Sequence, residues 1–433
     1  MSSRSRAPLA AIAVLLLAGG AGAASAGPLE GEAQSELTPR AAAEAALRAS
    51  PELLAAREAI EVARGRLVQA GLLPNPEVAL AGASDFAFAN EGERSASVAL
   101  EQRFPIAGRI ARARDVARVD LELALAEARD FERTLIRDAQ RAAVAILALD
   151  RAMASRDAVI EAARGLVRAS TRRLEAAEVS EADLNLLEIE LARFEQERRL
   201  LELERRNQAI ELNRLLYRAP GDPVRVVGTL DKPLFAAPAA ADLLAAALRE
   251  RPDLQRERLG LLRARAEARL VRAEIWEDWT VETGYQREVS AIDDGGLELS
   301  DRDNLLAAAV RVPLPLWNRN QGRIAEAIAN ERRAGHEVAA FERRIEAEVE
   351  AASQRVAALE AIAREYRERL VLRAERNVAL LQQGYAQGLA PISALVQAHQ
   401  QLADASASYA RTLGELRQAE IELEASAAAG PLF

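Results

Sequence analysis

The chain contains no cysteine, one lysine (Lys232), two methionines and two histidines among its 433 residues. The absence of cysteine excludes a disulfide framework, thiolate chemistry and an acylated cysteine. Met1 and Met153 are too few for a methionine relay for copper or silver, and His336 and His399 do not have the spacing of metal ligands. We therefore predict no resident metal and no cofactor, and we expect both histidines to be solvated or packed.

Aromatic residues are also scarce, at 4%, although half of the residues are apolar. Ala, Leu, Glu and Arg dominate, which is typical of long helices and coiled-coil packing. The net charge of −9 disfavours nucleic acid as a partner. Beyond the N-terminal run, no segment offers about 18 uncharged apolar residues, so no membrane-spanning helix is predicted. No catalytic set of side chains is visible, and an enzyme is the least favoured class.

The N-terminus has the pattern of a secretory signal. Two arginines precede an apolar stretch at residues 9–18, and Ala24-Ser25-Ala26 provides a small-residue cleavage site, with Ala21-Gly22-Ala23 as the alternative. Residues 1–26 are therefore predicted to be the signal peptide of an exported protein.

The rest of the chain has the pattern of one unit repeated twice: a helical pair, two strands, a very long helix and a shorter one. Thr38-Pro39 and Ser50-Pro51 open the first helical pair, and Arg251-Pro252 opens a helix of the second, because proline is favoured at the first helical position. The predicted parts are the first repeat (27–220), a linker (221–238) and the second repeat (239–433).

Strands are predicted at about 76–104 and about 279–314, where apolar and polar residues alternate. The turn Asn90-Glu91-Gly92 divides the first region, and residues 292–296 are the predicted loop in the second. About ten residues per strand suit a tilted membrane strand. The charged strand residues that are candidates to line a channel are Glu77, Asp85, Glu101, Glu282, Arg103 and Arg311.

Each strand pair ends at a segment rich in proline and glycine, which blocks further pairing and permits a sharp bend into a helix. The residues assigned to these strand-to-helix junctions are Pro105, Gly108, Pro313, Pro315, Asn318, Arg319, Gln321 and Gly322. Arg109 and Arg323 follow the glycines of the two junctions. Each is expected either to bond free carbonyls or phospholipid headgroups, or to lie on the surface in the first turn of its helix.

Long helices are predicted at about 109–217 and about 322–428, and each region contains one hairpin. The helix at about 322–387 is expected to run without interruption. In each repeat, the shorter helix and the opening pair together match the long helix in length, so they could cover its flank if stacked end to end.

The pattern resembles the TolC family of outer-membrane efflux proteins over essentially the whole chain after residue 26. The most specific run, Pro313-Leu314-Pro315-Leu316-Trp317-Asn318-Arg319-Asn320-Gln321-Gly322, looks like the strand-to-helix junction of the CzcC-like heavy-metal branch. Supporting runs are Ser50-Pro51-Glu52-Leu53, Leu73-Pro74-Asn75-Pro76-Glu77 and Gly384-Tyr385-Ala386-Gln387-Gly388-Leu389.

The resemblance implies a mostly α fold with a small β part. Each chain would supply four membrane strands and long periplasmic coiled-coil helices to a homotrimer with one 12-stranded barrel. It also implies an outer-membrane channel of a Gram-negative bacterium, in contact with outer-membrane lipid. A periplasmic adaptor protein and an inner-membrane pump of the resistance-nodulation-division type would be its partners, and divalent heavy-metal cations its solutes.

The resemblance also assigns two sets of site residues. The hairpin tips that contact the adaptor are Glu178, Val179, Ser180, Gly388, Leu389 and Ala390, with Glu178 in the place of Gly388. The aperture residues are Tyr385, Ala394 and Gln397, and the last two stand where some family members carry acidic rings.

Trp276, Trp279 and Trp317 flank the second strand pair at its helical side. They are expected to form an aromatic girdle at the membrane interface or to pack at the junction of helices and strands. Three alternative functions stay open: a multidrug efflux duct of the same fold, a periplasmic adaptor and a structural coiled-coil protein.

Overall fold

The computed structural model describes residues 36–87, 93–234, 240–294 and 297–428, and at 291–294 and 297–300 it describes the backbone alone. The predicted signal peptide (1–26), the turn at 90–92 and the end of the linker (235–238) lie outside the described residues. Among the residues that are described, no helix has both the length and the apolar composition needed to cross a bilayer.

The first repeat contains α1 (Pro39–Ala49), α2 (Pro51–Gln69), β1 (Glu77–Ser84), β2 (Arg94–Phe104), α3 (Arg109–Glu175) and α4 (Glu181–Leu215). The second contains α5 (Ala240–Glu250), α6 (Pro252–Ala273), β3 (Trp279–Asp294), β4 (Leu297–Arg311), α7 (Gln321–Glu365), α8 (Leu372–Ala386) and α9 (Ile392–Ala427). The mostly helical fold with a small sheet is therefore confirmed.

Corresponding helices of the two repeats have nearly equal lengths. The helices α1 and α5 have 11 residues each, and α4 and α9 have 35 and 36. The long helix α3 has 67 residues, which is about 100 Å at 1.5 Å per residue. Its counterpart consists of α7, a π-helical segment and α8, with 45, 6 and 15 residues.

Two expectations about these elements were wrong. The second long helix is widened by a π-helical segment at Tyr366–Val371, a change that no proline or glycine signals in the sequence. The loop predicted at 292–296 is shorter, because β3 continues to Asp294 and pairs there with Leu297 of β4. Only Gly295 and Gly296 separate the two strands, and both lie outside the described residues.

The helix starts follow from the capping residues that the sequence offers. Thr38 accepts a hydrogen bond from the backbone of Ala41, and Ser50 accepts one from the backbone of Leu53. Each side chain satisfies an amide that has no partner inside its helix. Prolines at the first helical position complete both starts, as predicted.

The shorter helices stack along the long ones. α3 contacts α1, α2 and α4 of its own repeat and also α6 and α9, while α7 contacts α5, α6 and α9. The largest cluster of buried apolar side chains surrounds Ile146 of α3 and Leu212 of α4. Alanines fill much of this cluster, so the helices approach one another closely.

A buried ionic network fixes the end of α9 against α3 and α6. Arg251 donates to Asp253 and to the backbone carbonyl of Ser426, and Arg133 donates to Asp253 and to the carbonyl of Ala425. Burial alone raises the pKa of Asp253, but the hydrogen bonds and positive charges of the two arginines outweigh burial and lower that pKa. The carbonyls at the C-terminus of α9 thus gain cationic donors.

The four strands form one antiparallel sheet in the order β1-β2-β3-β4. The register places Glu77 opposite Glu101, Glu101 opposite Glu282, and Glu282 opposite Ala309. Within the described residues, β1 and β4 are the edges of this sheet and have no further partner strand.

We predict that substituting Gly414→Leu destabilises the protein by roughly 1–3 kcal/mol through overpacking. A Cβ atom at Gly414 of α9 would lie only 2.5 Å from Cβ of Ala148 on α3. Thermal unfolding of the detergent-solubilised protein measures the effect, and a second substitution, Ala148→Gly, should restore part of the loss. Gly65→Leu is the matched control, because nothing lies within 4 Å of its added Cβ. Equal losses in both leucine variants would refute the close approach.

Candidate functional site

Both hairpin tips are built by the same backbone motif at the end of the incoming helix. In the first, the amides of Glu178 and Ala177 donate to the carbonyls of Arg173 and Leu174, and Ala177 has a φ of 57°. In the second, the amides of Leu389 and Gly388 donate to the carbonyls of Gly384 and Tyr385, and Gly388 has a φ of 74°. This is the Schellman arrangement of a helix C-terminus.

The motif corrects the predicted alignment of the tips by one residue. Gly388 corresponds to Ala177, and Glu178 corresponds to Leu389, since each pair occupies the same place in the hydrogen-bond pattern. Alanine tolerates the left-handed conformation less well than glycine, and this hid the equivalence in the sequence. The carboxylate of Glu178 also accepts a hydrogen bond of 3.1 Å from Arg173.

The outgoing helices start differently. Ser180 caps α4 by accepting from the amide of Asp183, whose carboxylate accepts from Ser180 in return. Pro391 precedes α9 and provides no such side-chain bond. Val179 and Ala390 are half-buried, whereas Leu389 is 79% exposed at the end of its hairpin.

Tyr385 joins the two hairpins near their tips. Its hydroxyl lies 3.3 Å from Oγ of Ser170 on α3, and the guanidinium of Arg173 lies 5.0 Å from the centroid of its ring. Such a cation–π contact is weak at an exposed site. Tyr385, the tyrosine predicted at the aperture, therefore connects α8 to α3.

The other two aperture residues follow at the start of α9. Ala394 is half-buried and Gln397 is exposed, while Leu395 and Val396 between them are buried. Val396 packs in a small apolar cluster with Leu187 of α4 and Ile392. The assignment of Ala394 and Gln397 to the aperture stays a prediction.

His399 lies one turn further along α9 and is only 4% exposed. Its Nε2 is 3.3 Å from the side-chain amide of Gln382 on α8, and its Nδ1 is buried without a hydrogen-bond partner. Burial lowers the pKa of His399. The sequence predicts that each histidine is either solvated or packed. His399 is packed, and His336 on α7 is exposed.

The first strand-to-helix junction turns at two residues of positive φ. Pro105 follows β2, and Ala107 and Gly108 have φ values of 57° and 71° before α3 begins at Arg109. In the second junction the left-handed residue is Asn320, with a φ of 55°, so the bend assigned to Gly322 was misplaced. Asparagine also tolerates this conformation, and Gly322 lies inside the first turn of α7.

The second junction is held by its own side chains. Asn318 accepts from the amide of Asn320, and Gln321 accepts from the amide of Arg319 while donating to the carbonyl of Trp317. Arg319 donates to the carbonyl of Pro315. The residues of the most specific run in the sequence thus satisfy the backbone of a tight turn.

Arg109 and Arg323 have carboxylate partners in the segment between α6 and β3. Arg109 pairs with Asp278, and Arg323 lies 2.6 Å from Glu274. The sequence analysis expected carbonyls or phospholipid headgroups as partners of these arginines, and it did not predict the two ion pairs. Each junction is thereby tied to the same short connection.

The three tryptophans near this connection are exposed, most strongly Trp317 at 86%. Trp276 lies between α6 and β3, and Trp279 begins β3 on the apolar face of the sheet. Their roles as an aromatic girdle or as packing residues stay predictions.

The two faces of the sheet differ in chemistry and in exposure. One face carries the exposed side chains of Val78, Leu80, Val98, Leu100, Phe104, Trp279, Val281, Tyr285, Leu306 and Val310. The opposite face is polar, and in β2 and β3 its side chains are mostly half-buried while the apolar ones are exposed. A sheet of a water-soluble domain has the reverse arrangement, with its apolar face packed on a core.

Comparison with solved structures identifies this fold. CusC, a protein described as forming a transmembrane channel, is similar with a TM-score of 0.75 at 14% identity, over 91% of this chain and 92% of that one. The outer membrane protein VceC of Vibrio cholerae has a TM-score of 0.71 at 17% identity, over 90% and 95%. The open-state outer membrane channel MtrE of Neisseria gonorrhoeae has 0.71 at 16%, over 90% and 88%.

The fold is therefore that of the TolC-like channels. Residues 243–429 match the family model described as outer membrane efflux protein. No curated protein matches the chain.

We expect the stability of the region around His399 to fall on acidification. Because its pKa is lowered in the folded chain, its contribution is complete above the unfolded pKa of about 6.5 and is lost as the pH falls through the folded pKa. Thermal unfolding at pH 7.5 and at lower pH should show a smaller acid-induced loss in His399→Leu than in the wild type.

The exposed His336 provides the control for this measurement. His336→Leu should retain the acid sensitivity of the wild type, because the side chain of His336 is exposed on α7. Unchanged acid sensitivity in His399→Leu would show that other groups cause it.

Proposed function

We propose that this chain is one subunit of a homotrimeric outer-membrane efflux channel of a Gram-negative bacterium, which conducts small toxic solutes passively to the exterior. The observation that carries the proposal is the sheet with its apolar face exposed and with the polar face of its central strands β2 and β3 mostly half-buried. The family match over residues 243–429 and the TolC-like fold support it.

In this proposal the apolar face of the sheet contacts outer-membrane lipid, and the polar face lines an aqueous pore. Three chains with four strands each close one 12-stranded barrel, so that every edge strand finds a partner. Trp276, Trp279 and Trp317 then lie at the level where helices meet strands, which suits aromatic side chains at a membrane interface.

The helical hairpins would extend into the periplasm and meet two partners there. A periplasmic adaptor protein would contact the tips, including the exposed Leu389, and an inner-membrane pump of the resistance-nodulation-division type would supply the energy. A periplasmic adaptor or a purely structural coiled coil is less well supported, because neither alternative accounts for a sheet with an exposed apolar face.

Gating would act on the contacts of Tyr385. Its bonds to Ser170 and Arg173 hold α8 against α3, and adaptor binding at the tips would separate these helices. Only a few weak contacts have to break, since a hydroxyl pair and an exposed cation–π contact are both weak interactions in water.

Divalent heavy-metal cations are the proposed solutes, and the support is the resemblance of residues 313–322 to the CzcC-like branch. Among the described residues, no group of three or more His, Cys, Asp or Glu could hold a metal ion. A duct conducts through weak sites, so passage requires no tight one. A multidrug duct of the same fold is the second candidate.

Growth of a deletion strain tests this function directly. Graded zinc, cobalt, cadmium, nickel and copper are compared with a panel of dyes and antibiotics. Sensitivity confined to the metals is the expected result. Sensitivity to the organic compounds alone would retain the duct and assign it to multidrug efflux, and unchanged tolerance of every compound would argue against a duct.

We predict that Leu389→Glu impairs export and leaves the trimer intact. Leu389 is exposed beyond the left-handed Gly388, so a charge there disturbs a contact surface and no packed core. Solute tolerance of the complemented strain and the oligomer on a native gel measure the two effects. Leu389→Met is the control and should export normally. Normal export by Leu389→Glu would contradict the assignment of the tip.

A further inference from the structure

Three arginines lie together on one face of the sheet, at the end farthest from the helices: Arg94 of β2, Arg287 of β3 and Arg302 of β4. We name them the arginine triad. The register places Arg94 and Arg302 on either side of Val289, and Arg287 lies two residues closer to the helices on the middle strand. At about 4.8 Å between strands and about 3.4 Å per residue, the Cα atoms of the triad lie about 8–10 Å apart.

The triad belongs to the apolar face of the sheet. Because every second side chain of a strand points to the same face, Arg94 shares a face with Val98, and Arg287 shares it with Tyr285. Arg302 lies on the same face through its register with β3. The exposed apolar surface therefore borders directly on three positive charges.

Charges of opposite sign occupy the two faces at this end of the sheet. Asp301 and Asp303 flank Arg302 in the sequence, but the alternation places both, together with Glu288, on the polar face. Within the described ranges, no carboxylate side chain forms an ion pair with a triad arginine. The three guanidinium groups are therefore available to a ligand.

The residue between two of the arginines shows how the triad is presented. Val289 is only 9% exposed, whereas Tyr285 and Leu306 on the same face are exposed. Its two cross-strand neighbours are Arg94 and Arg302, and arginine stems cover apolar surface while their charged heads stay in solvent. All three triad side chains are themselves exposed. The triad thus presents its positive heads beside an apolar surface.

The height of the triad fits one interface of a bilayer. Trp279 begins β3 at its helical end, and Val289, level with Arg94 and Arg302, lies ten residues further along the strand, from 279 to 289. Ten residues span about 33 Å, which is about 25 Å normal to the membrane at a strand tilt of about 40°. The apolar band of a membrane barrel is also about 25 Å tall. With Trp279 at one interface, the triad lies at the headgroup level of the other.

We propose that the arginine triad binds the phosphate of an anionic lipid in the outer leaflet, while the acyl chains of that lipid lie on the adjoining apolar face. Guanidinium groups bind phosphate oxygens in bidentate pairs, and three of them at this spacing can contact one phosphorylated headgroup. A free phosphate would gain the charges alone, whereas a lipid also gains the apolar surface beside them. The proposal rests on the proposed function for the membrane and its orientation.

Lipid binding to the assembled channel in detergent tests the site. Dioleoyl phosphatidic acid is the probe, dioleoyl phosphatidylcholine is the comparison, and native mass spectrometry counts the lipids that stay bound. The wild type should retain phosphatidic acid preferentially. The triple variant Arg94→Gln, Arg287→Gln and Arg302→Gln should bind phosphatidic acid roughly 100-fold more weakly, at about fivefold per arginine near a lipid surface, and phosphatidylcholine as before.

Two further variants control the measurement. Arg332, Arg373 and Arg376 are exposed on α7 and α8, and their triple glutamine variant removes the same charge away from the sheet. It should bind phosphatidic acid like the wild type. Lysine at the three triad positions keeps the charge and loses the bidentate fork, so its binding should lie between those of the wild type and the glutamine variant. Thermal unfolding in detergent without added lipid verifies the fold of each variant, and the lysine variant serves if the glutamine variant does not assemble.

Three results would overturn the site. The first is equal retention of the two lipids by the wild type, and the second is an equal loss of phosphatidic acid in the triad variant and the helix variant. The third is complete displacement of phosphatidic acid by inorganic phosphate, which would show a site for free phosphate only. Inorganic phosphate is expected to displace little of the lipid, because it cannot replace the contacts of the acyl chains.

These tests separate the lipid site from the proposed function. Selective lipid binding by a protein whose deletion changes no solute tolerance would keep the lipid site and remove the efflux role. Normal efflux by a wild type without lipid selectivity would keep the role and remove the lipid site.

Discussion

Unpaired backbone groups at the two edges of the sheet are the constraint on which the rest of the protein depends. In the part of the chain that the structure describes, four strands leave the outer amides and carbonyls of β1 and β4 without a partner strand, and they expose a broad apolar face. In water each feature promotes aggregation, and in a bilayer an open edge costs several kcal/mol for each unsatisfied group. In the channel proposed above, both would be relieved at once, because copies of the chain would close the sheet on itself with the polar face inside.

Internal repetition would let the proposed closure form with few different contacts. Each hairpin of strands leads through a proline-containing bend into a long helix, and corresponding helices differ by no more than a few residues in length. The two repeats reach the same geometry with different residues: Gly108 and Asn320 begin the long helices, and Ala177 and Gly388 end them. What the duplication preserves is the backbone conformation, and any residue that tolerates positive φ can supply it.

Features that depend on local chemistry were predictable from the sequence, and those that depend on distant partners were not. The starts at Pro39 and Pro51 and the alternation around Val78 follow from propensity and period, so the helices and strands were placed within a few residues. The partner of Arg109 is 169 positions away, and no spacing rule reports such a contact. The π-helical segment was missed because it replaces one hydrogen-bond pattern with another and no residue signals the change. The one-residue shift at Ala177 was missed because alanine adopts there the left-handed conformation that glycine marks at Gly388.

Stability is distributed unevenly along the helices, and this distribution suits a channel that opens at one end. Around Ile146 many buried apolar side chains from α1, α3, α4 and α9 pack together, and the network of Arg251 and Asp253 fixes the C-terminal end of α9. Near the tips the buried apolar cluster is reduced to Leu187, Ile392 and Val396, with polar contacts of Tyr385 beside it. Elements that move belong to the least stable part of a fold, since few buried contacts have to break. In the proposed gating, the hairpin ends would therefore separate while the packed middle of the helices keeps the chain, and through it the sheet, in place.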